Sequence, residues 1–211
     1  MLFRSFFDSY AKEFDSVFTN RGSFPRRIIN GLFRKSTRLR YLKTLDGANP
    51  VAGKTVIDIG CGPGYYAVAL AKKGARKILG VDISPSMIAL AQEHAKAADV
   101  EKCCEFVVAN FISYPVVEKF DYAIAQGFMD YVAHPEKMVA KIVAVTKNKA
   151  FFSFPRDGGF LAWQRKIRYQ WKCDLFQYNR EQLDELFGRL QGENVEIEQI
   201  SRDYFVTVYM E

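Results

Sequence analysis

The stretch that decides the fold runs from Val56 to Tyr66 and reads VIDIGCGPGYY. It begins as a short run of valine and isoleucine around Asp58, which is typical of a buried strand. Glycines then follow at three alternate positions, Gly60, Gly62 and Gly64. Glycines in such a turn adopt positive φ angles and let a ligand approach the backbone, and the next helix offers unpaired N–H groups. The pattern predicts a strand, a ligand-binding turn and a helix.

A second acidic residue, Asp82, ends the next predicted strand, KILGVD at residues 77–82. It lies 24 positions after Asp58. A carboxylate at the end of this strand can accept hydrogen bonds from both hydroxyls of a ribose. The two carboxylates therefore predict a nucleoside-binding site at the ends of two strands.

Short apolar runs alternate with helical segments around this motif. Strands are predicted at residues 55–59, 77–82, 105–110, 120–126 and 150–155, and helices at 64–73, 85–98 and 135–146. Parallel strands need a crossover connection, which is usually a helix, so the alternation predicts a doubly wound parallel sheet with helices on both faces.

The end of the chain has a different pattern. A helix with Asn179 as its N-cap is followed by two alternating runs, VEIEQIS at residues 195–201 and DYFVTVYM at residues 203–210. Such runs with almost nothing between them predict an antiparallel hairpin at the edge of the sheet.

The motif DIGCGPG (58–64) with VDIS (81–84) resembles the S-adenosylmethionine-binding core of the class I methyltransferases. The resemblance covers roughly residues 54–155 and the terminal hairpin. Its GxGxG spacing differs from the GxGxxG fingerprint of dehydrogenases. The resemblance implies an α/β, Rossmann-like, doubly wound seven-stranded sheet that is mostly parallel and has an antiparallel C-terminal strand.

The same resemblance implies S-adenosyl-L-methionine as the cofactor. Asp58 would orient the methionine amino group, directly or through water, and Asp82 would bind the ribose hydroxyls. The other implied cofactor-binding residues are Gly60, Cys61, Gly62, Gly64, Ile83, Asn110, Phe111 and Gln126.

Three of these positions carry specific expectations. Ile83 would pack on the adenine, and Gln126 would end the fourth strand beside the sulfonium. Members of the family often have an acidic residue after the third strand, where this sequence has Asn110 followed by Phe111. An asparagine oxygen accepts a hydrogen bond from the adenine amino group without the charge. Ile83 and Phe111 also fit plain core packing.

Methyl transfer requires little acid–base chemistry. The sulfonium is an activated leaving group, so the protein mainly holds the acceptor in line with the methyl group and excludes water. Where the acceptor loses a proton, the candidate catalytic bases are Asp130, Tyr131 and His134 after the fourth strand, and Tyr10 near the N-terminus. Asp130 and Tyr131 rank higher because their strand opens into the ligand crevice. His134 is also explained as a residue at a helix entry.

We expect the chain to divide into an N-terminal helical extension at residues 1–50 and, from the resemblance, a class I methyltransferase core at residues 51–211. Aromatic residues at helical spacing cover residues 2–18, and a basic helical segment follows from about Arg26 to Leu45. The core carries a substrate-side insertion at about residues 156–178. The extension and the insertion are expected to form a lid over the pocket.

The composition excludes several classes of protein. With 211 residues, 49% hydrophobic and 26% charged, the chain is expected to form one globular domain. Four cysteines without CxxC spacing and two histidines offer no recognisable zinc ligand pairs, so no metal is expected. No apolar run approaches the roughly 18 residues of a membrane span, so we expect no transmembrane segment and a cytoplasmic location. The oligomeric state stays open.

The charge distribution bears on the acceptor. Residues 1–54 carry 11 Lys and Arg against 4 Asp and Glu, and residues 156–172 combine basic with aromatic side chains. Such surfaces bind anionic or planar partners, although single charges are also explained as solvated faces. We therefore expect a small-molecule acceptor that is anionic or aromatic and conjugated. The segments GFMDYVAHP (127–135) and FSFPRDGG (152–159) resemble methyltransferases of carboxylated tetrapyrroles, without identifying the substrate.

Three other functions remain as alternatives. RNA methylation is favoured by the basic N-terminus, but no separate nucleic-acid module is visible, so a nucleic-acid partner is disfavoured. A non-catalytic cofactor-binding protein would have the same core motif. A NAD-linked oxidoreductase is disfavoured by the GxGxG spacing.

Overall fold

A computed structural model describes residues 24–158, 175–190 and 193–211, with side chains from residue 35 onward. The predicted helix at residues 2–18, with Tyr10, lies outside the described residues, as does most of the insertion. The helices are α1 (Phe24–Gly47), α2 (Tyr65–Lys72), α3 (Pro85–Ala97), α4 (Pro135–Ala144) and α5 (Arg180–Gly188). The strands are β1 (Thr55–Ile59), β2 (Lys77–Asp82), β3 (Cys104–Val108), β4 (Phe120–Ala125), β5 (Thr146–Pro155), β6 (Asn194–Ile200) and β7 (Asp203–Tyr209).

The seven strands form one sheet in the order β3-β2-β1-β4-β5-β7-β6. Neighbours from β3 to β5 pair in parallel, whereas β7 pairs antiparallel with both β5 and β6. The predicted seven-stranded, mostly parallel sheet is therefore confirmed. The hairpin inserts its second strand next to β5 and leaves β6 at the edge.

The main differences from the predicted element boundaries concern β5 and β3. Strand β5 begins at Thr146, where the preceding helix was expected to end, because Thr146 pairs with Phe120 of β4. Strand β3 ends at Val108 instead of residue 110, because Asn110 opens a turn in which its carbonyl accepts from Ser113 and Tyr114. Both differences arise from contacts with residues outside the predicted segments.

The sheet is buried on both faces. On the first face, side chains such as Ile57, Phe152 and Phe154 pack with helices α4 and α5. On the second face, Val56 and Ile124 pack with α1 and α2. Because side chains alternate along a strand, Asp58 of β1 lies on the second face, two residues after Val56.

Helix α1 crosses the second face antiparallel to β5. Its last residue, Gly47, lies against the Phe151 ring, and Ser36 donates a hydrogen bond to Asp203 at the carboxyl edge of the sheet. At 1.5 Å per residue, residues 24–35 extend the helix about 18 Å beyond that contact. Among the described residues, no helix is both long and apolar enough to span a membrane.

Candidate functional site

The glycine turn after β1 has the backbone conformation that its sequence requires. The φ angles are +66° at Gly60, +50° at Gly62 and +76° at Gly64. The Gly60 and Cys61 N–H groups donate to the Val81 carbonyl at 2.8 and 3.2 Å, which ties the turn to β2. A Cβ atom at Gly62 would meet nothing within 4 Å. The turn therefore has a firm attachment on one side and open space at Gly62.

Asp82 is held firmly at the end of β2. Its Oδ2 accepts from the Gly62 N–H and its Oδ1 from the Ser84 N–H, each at 2.9 Å. Because each carboxylate oxygen has two lone pairs, a carboxylate oriented in this way is suited to accept from hydroxyl groups such as those of a ribose. Ile83, the next residue, is half-buried.

Asp58 has the opposite character. It is 1% exposed, and its Oδ2 has no hydrogen-bond partner. Burial, followed by the nearby charge of Asp82, raises the pKa of Asp58 to about 8, and the Ala67 N–H lowers it in part. A buried carboxylate oxygen without a partner beside an open glycine turn fits a bound ammonium group, which would satisfy that oxygen.

The loop after β3 is pinned from α4. The Lys141 ammonium donates to the carbonyls of Phe111, Ile112 and Tyr114 at 2.7, 2.9 and 2.7 Å and lies 4.9 Å from the centre of the Phe111 ring. Burial lowers the pKa of Lys141. This one side chain replaces the backbone partners that the loop lacks.

The two cofactor-binding residues predicted after β3, Asn110 and Phe111, differ in exposure. Asn110 is exposed, and its Oδ1 accepts from the Ile112 N–H at 3.1 Å. Its oxygen therefore keeps one lone pair for a ligand. Phe111 is 4% exposed and belongs to the core of the first sheet face. The buried ring fits the core-packing alternative as well as an adenine wall.

A cluster of polar side chains lies under α1 at the carboxyl edge. Gln126 is 8% exposed, and neither its Oε1 nor its Nε2 has a hydrogen-bond partner. The Ser153 hydroxyl accepts from the Gly127 N–H at 2.9 Å and from Arg40 Nη1 at 3.0 Å. Arg40 also lies 3.5 Å from Asp203 through Nε. The fold thus brings a guanidinium from α1 to the end of β4.

The candidate bases occupy different environments. Asp130 is 2% exposed, and its carbonyl accepts from the Phe176 N–H at 2.8 Å. Tyr131 is half-buried in the same short helix, Met129–Tyr131. His134 is exposed and lies 3.5 Å from Glu136, at the entry of α4. The structure brings Asp130 and Tyr131 together and leaves His134 at the surface.

Cys61 is buried in the glycine turn. Burial raises the pKa of its thiol well above the ordinary value, so the side chain is a neutral part of the wall of the turn. Within residues 24–158, 175–190 and 193–211, no three His, Cys, Asp or Glu side chains are grouped to hold a metal ion.

Comparison with known proteins identifies the family. Residues 50–165 match the family model of the methyltransferase domain, which is more than half of the chain. The chain belongs to the methyltransferase family. This membership confirms the predicted S-adenosylmethionine-dependent class and its cofactor.

The fold of this methyltransferase resembles a solved structure over nearly its whole length. Magnesium protoporphyrin IX methyltransferase from Synechocystis PCC 6803, with bound SAH, has a TM-score of 0.74 at 17% identity. The match covers 99% of this chain and 97% of that chain. At this identity the likeness concerns the fold.

Curated relatives match over shorter segments. The ribosomal protein L11 methyltransferase of Enterobacter sp. (strain 638) is 34% identical over 120 residues, 57% of this chain and 36% of the relative. The ubiquinone biosynthesis O-methyltransferase of Methylococcus capsulatus is 30% identical over 125 residues, 53% of this chain and 52% of the relative. The match thus spans about half or less of the length of these relatives, whose names give different acceptors.

The sequence assigned no role to several residues of the methyltransferase site. Arg40 and Lys141 lie on separate helices and belong to no motif, whereas Tyr66 and Ser153 lie in the quoted segments VIDIGCGPGYY and FSFPRDGG. Their roles depend on which residues the folded chain places opposite them. The sequence shows that α1 is basic, but it does not show which of its basic side chains contacts the sheet.

Proposed function

We propose that this methyltransferase transfers a methyl group from S-adenosyl-L-methionine to a small-molecule acceptor that is anionic or conjugated. The observation that carries the proposal is the pair of carboxylates around the open glycine turn. Asp82 has both oxygens oriented by backbone N–H groups, and Asp58 keeps a buried oxygen without a partner. When bound, the cofactor supplies an activated methyl group on a sulfonium.

The residues of the chain would then divide the work of binding. Asp58 holds an ammonium, Asp82 holds the ribose hydroxyls, and the backbone from Gly60 to Gly64 lies along the ligand. Ile83, Asn110 and Phe111 surround the adenine side. Gln126 ends β4 on the reacting side, in the crevice where open α/β sheets bind ligands.

The acceptor would bind between the loop after β4 and the insertion. Both ends of the insertion are anchored beside that loop, because the Tyr178 N–H donates to the Pro155 carbonyl and its hydroxyl donates to the Met129 carbonyl. Burial raises the pKa of Tyr178 to about 12, with the charges of Asp130 and Glu136 adding to the shift. These contacts support residues 156–178 as a substrate-side element of the 51–211 core.

Residues 1–50 are proposed as the second part of the lid. Helix α1 contacts the carboxyl edge through Ser36 and Arg40 and continues past it toward its first residue, Phe24. Closure over the pocket would exclude water from the transfer step.

A proton acceptor is proposed for acceptors that must lose a proton. Asp130 and Tyr131 are the first choices because they follow β4. Tyr10 from the lid is the next, and the exposed His134 is the last.

The proposed small-molecule acceptor draws on the comparisons with known proteins. Two of the similar proteins, the magnesium protoporphyrin IX methyltransferase and the ubiquinone biosynthesis O-methyltransferase, are named for small molecules, whereas the L11 methyltransferase is a protein-modifying relative by name. A conjugated, carboxylated acceptor would also suit the basic and aromatic residues of the insertion.

The test is incubation of the full chain with methyl-labelled S-adenosylmethionine and separate metabolite, RNA and protein fractions. Label in the metabolite fraction supports the proposal. Label confined to RNA or protein overturns the small-molecule acceptor, and binding of S-adenosylhomocysteine without any transfer overturns the enzymatic role. Asp82→Asn serves as the control and should transfer much less label when the labelled S-adenosylmethionine is limiting.

A further inference from the structure

Buried polar atoms without partners concentrate at one place in the second sheet face. Among the described side chains, seven buried nitrogen or oxygen atoms have no hydrogen-bond partner. Three of the seven are Asp58 Oδ2 and both polar atoms of the Gln126 amide, and a fourth, Arg40 Nε, lies 3.5 Å from Asp203. A buried polar atom destabilises the folded state unless a ligand or water forms a hydrogen bond with it. A group of such atoms therefore indicates a binding site.

These three residues converge because of the strand register. Asp58 of β1 pairs with Ile124 of β4, and Gln126 lies two positions further along the same face. Arg40 Nη1 would lie 3.4 Å from a Cβ atom at Gly127, the residue after Gln126. The guanidinium and the amide therefore flank the same stretch of backbone.

The Arg40 guanidinium is oriented by three side chains, which do not engage all of its N–H donors. Asp203 faces its Nε, Ser153 accepts from Nη1, and Thr37 accepts from Nη2 at 3.3 Å. Each Nη atom carries a second N–H group. Two parallel donors on a rigid fork are suited to a carboxylate.

Tyr66, in the first turn of α2, is close enough to both Arg40 and Asp58 for their charges to act on its hydroxyl. Its ring packs against Tyr41 at a centroid distance of 5.4 Å, and its hydroxyl is influenced by the charges of Arg40 and Asp58. Burial raises the pKa of Tyr66 further above its ordinary value, so the hydroxyl stays protonated and can donate.

We propose that Arg40, Gln126 and Tyr66 form a carboxylate-binding site that holds the α-carboxylate of the cofactor, opposite Asp58, which holds its α-ammonium. This inference rests on the proposed function and assigns new residues to its cofactor site. The donors lie on one side and the unpartnered carboxylate oxygen on the other, which matches the two charges of an amino acid. The same donors would also suit a carboxylate of the acceptor, and the experiment separates the two sources.

The test compares two ligands of the full chain by calorimetry. S-adenosylhomocysteine carries the amino-acid group, and 5′-methylthioadenosine lacks it. Gln126→Leu and Arg40→Lys should weaken S-adenosylhomocysteine binding by about tenfold or more and leave methylthioadenosine binding within about twofold. Arg40→Lys keeps a charge for Asp203 and so preserves the fold. Arg76→Met, an exposed arginine at the other edge of the sheet, is the control that should change neither affinity.

A stability measurement separates binding from packing. Gln126→Leu removes two buried polar atoms without partners, so the ligand-free variant should melt at or above the temperature of the unmodified protein. A structural role for Gln126 would lower that temperature and weaken both ligands equally, which would overturn the site.

The remaining outcomes are equally distinct. Unchanged binding of both ligands, with a raised KM for an identified acceptor, would overturn the assignment and give the donors to the acceptor. If the unmodified chain binds neither ligand, the proposed function fails with the site. If it binds S-adenosylhomocysteine and the variants bind it equally well, only the carboxylate site fails.

Discussion

The β1–β2 end of the site and the α1–β4 end are built in different ways. At the first end, the glycine turn and Asp82 bind each other through backbone N–H groups within a short stretch of sequence. At the second end, Arg40, Gln126 and Ser153 come from separate elements and meet through side chains. The first end is held by hydrogen bonds between neighbouring segments of the sequence. The second end forms only when α1 packs on the sheet.

The two ends also differ in how well their polar groups are satisfied. Both oxygens of Asp82 have backbone partners, whereas Asp58 and Gln126 keep buried polar atoms without a partner. A satisfied group contributes to stability without a ligand, and an unsatisfied one costs stability until a ligand binds. The contrast predicts that changes at the two ends affect ligand binding and stability in different proportions.

The largest effect is expected at the first end. Asp82→Asn removes the charge that would accept both ribose hydroxyls, so S-adenosylhomocysteine should bind about a hundredfold more weakly. Isothermal calorimetry measures the change. Asp184→Asn, in an exposed ion pair with Arg180, should bind normally. Normal binding by a folded Asp82→Asn variant would remove the ribose assignment.

The next effect is a pH dependence that originates at Asp58. Its carboxyl has a pKa of about 8 in the free protein, so it is mostly protonated at pH 6 and must ionise to pair with an ammonium. Affinity for S-adenosylhomocysteine should therefore rise by up to about tenfold per pH unit between pH 6 and pH 8. Asp82, Tyr66 and Cys61 face the same carboxyl, and Asp58→Asn isolates its contribution, because this variant should bind weakly with a flat profile. An equal slope in both proteins would contradict the assignment.

Ionisation of Asp58 should also have a smaller effect on stability, and of opposite sign: it strengthens ligand binding but destabilises the ligand-free protein. The raised pKa of Asp58 means that the folded state favours its protonated form, so stability is lost as pH rises from the unfolded value of this group through about 8. At pH 9, ligand-free Asp58→Asn should melt several degrees above the unmodified protein. At pH 4 the two melting temperatures should converge. Calorimetric melting at both pH values decides it, and a lower melting temperature at pH 9 would show that the carboxylate is stabilised by a partner.

The smallest effect concerns the loop after β3. Lys141→Met removes three hydrogen bonds to the Phe111, Ile112 and Tyr114 carbonyls, so 5′-methylthioadenosine should bind about threefold to tenfold more weakly through a less ordered adenine side. Lys141→Arg should restore part of the affinity, and Lys137→Met, exposed on the same helix, should have no effect. Hydrogen exchange of residues 110–114 reports the loop directly, and unchanged exchange would contradict the positioning role.

Much of the first end was predictable because its requirements are local. A turn with positive φ at three alternate residues is compatible with few sequences other than Gly60, Gly62 and Gly64. The capped start of α3 is similar, because Ser84 precedes Pro85 and its hydroxyl accepts from the Met87 N–H. Such features involve residues a few positions apart, so the sequence carries them.

The boundaries of β5 and the role of Lys141 were not predictable in the same way. Thr146 fits a helix end by pattern, but its pairing with Phe120 makes it a strand residue. Lys141 has the sequence of an ordinary surface lysine, and its three carbonyl partners lie 27 to 30 positions away. Asn110 was predicted to accept from an adenine, but its prior bond to the Ile112 N–H was visible only in the structure.

The sequence alone determined the alternation of strands and helices, the glycine turn and the places of Asp58 and Asp82, because backbone conformation and the period of a strand act over a few residues. Only the tertiary structure decided that α1 places Ser36 and Arg40 against Asp203, 167 and 163 positions later. A contact of that kind has no local signature, since it depends on which face of a helix packs on which strand. The half of the site that depends on it therefore became visible only in the folded chain.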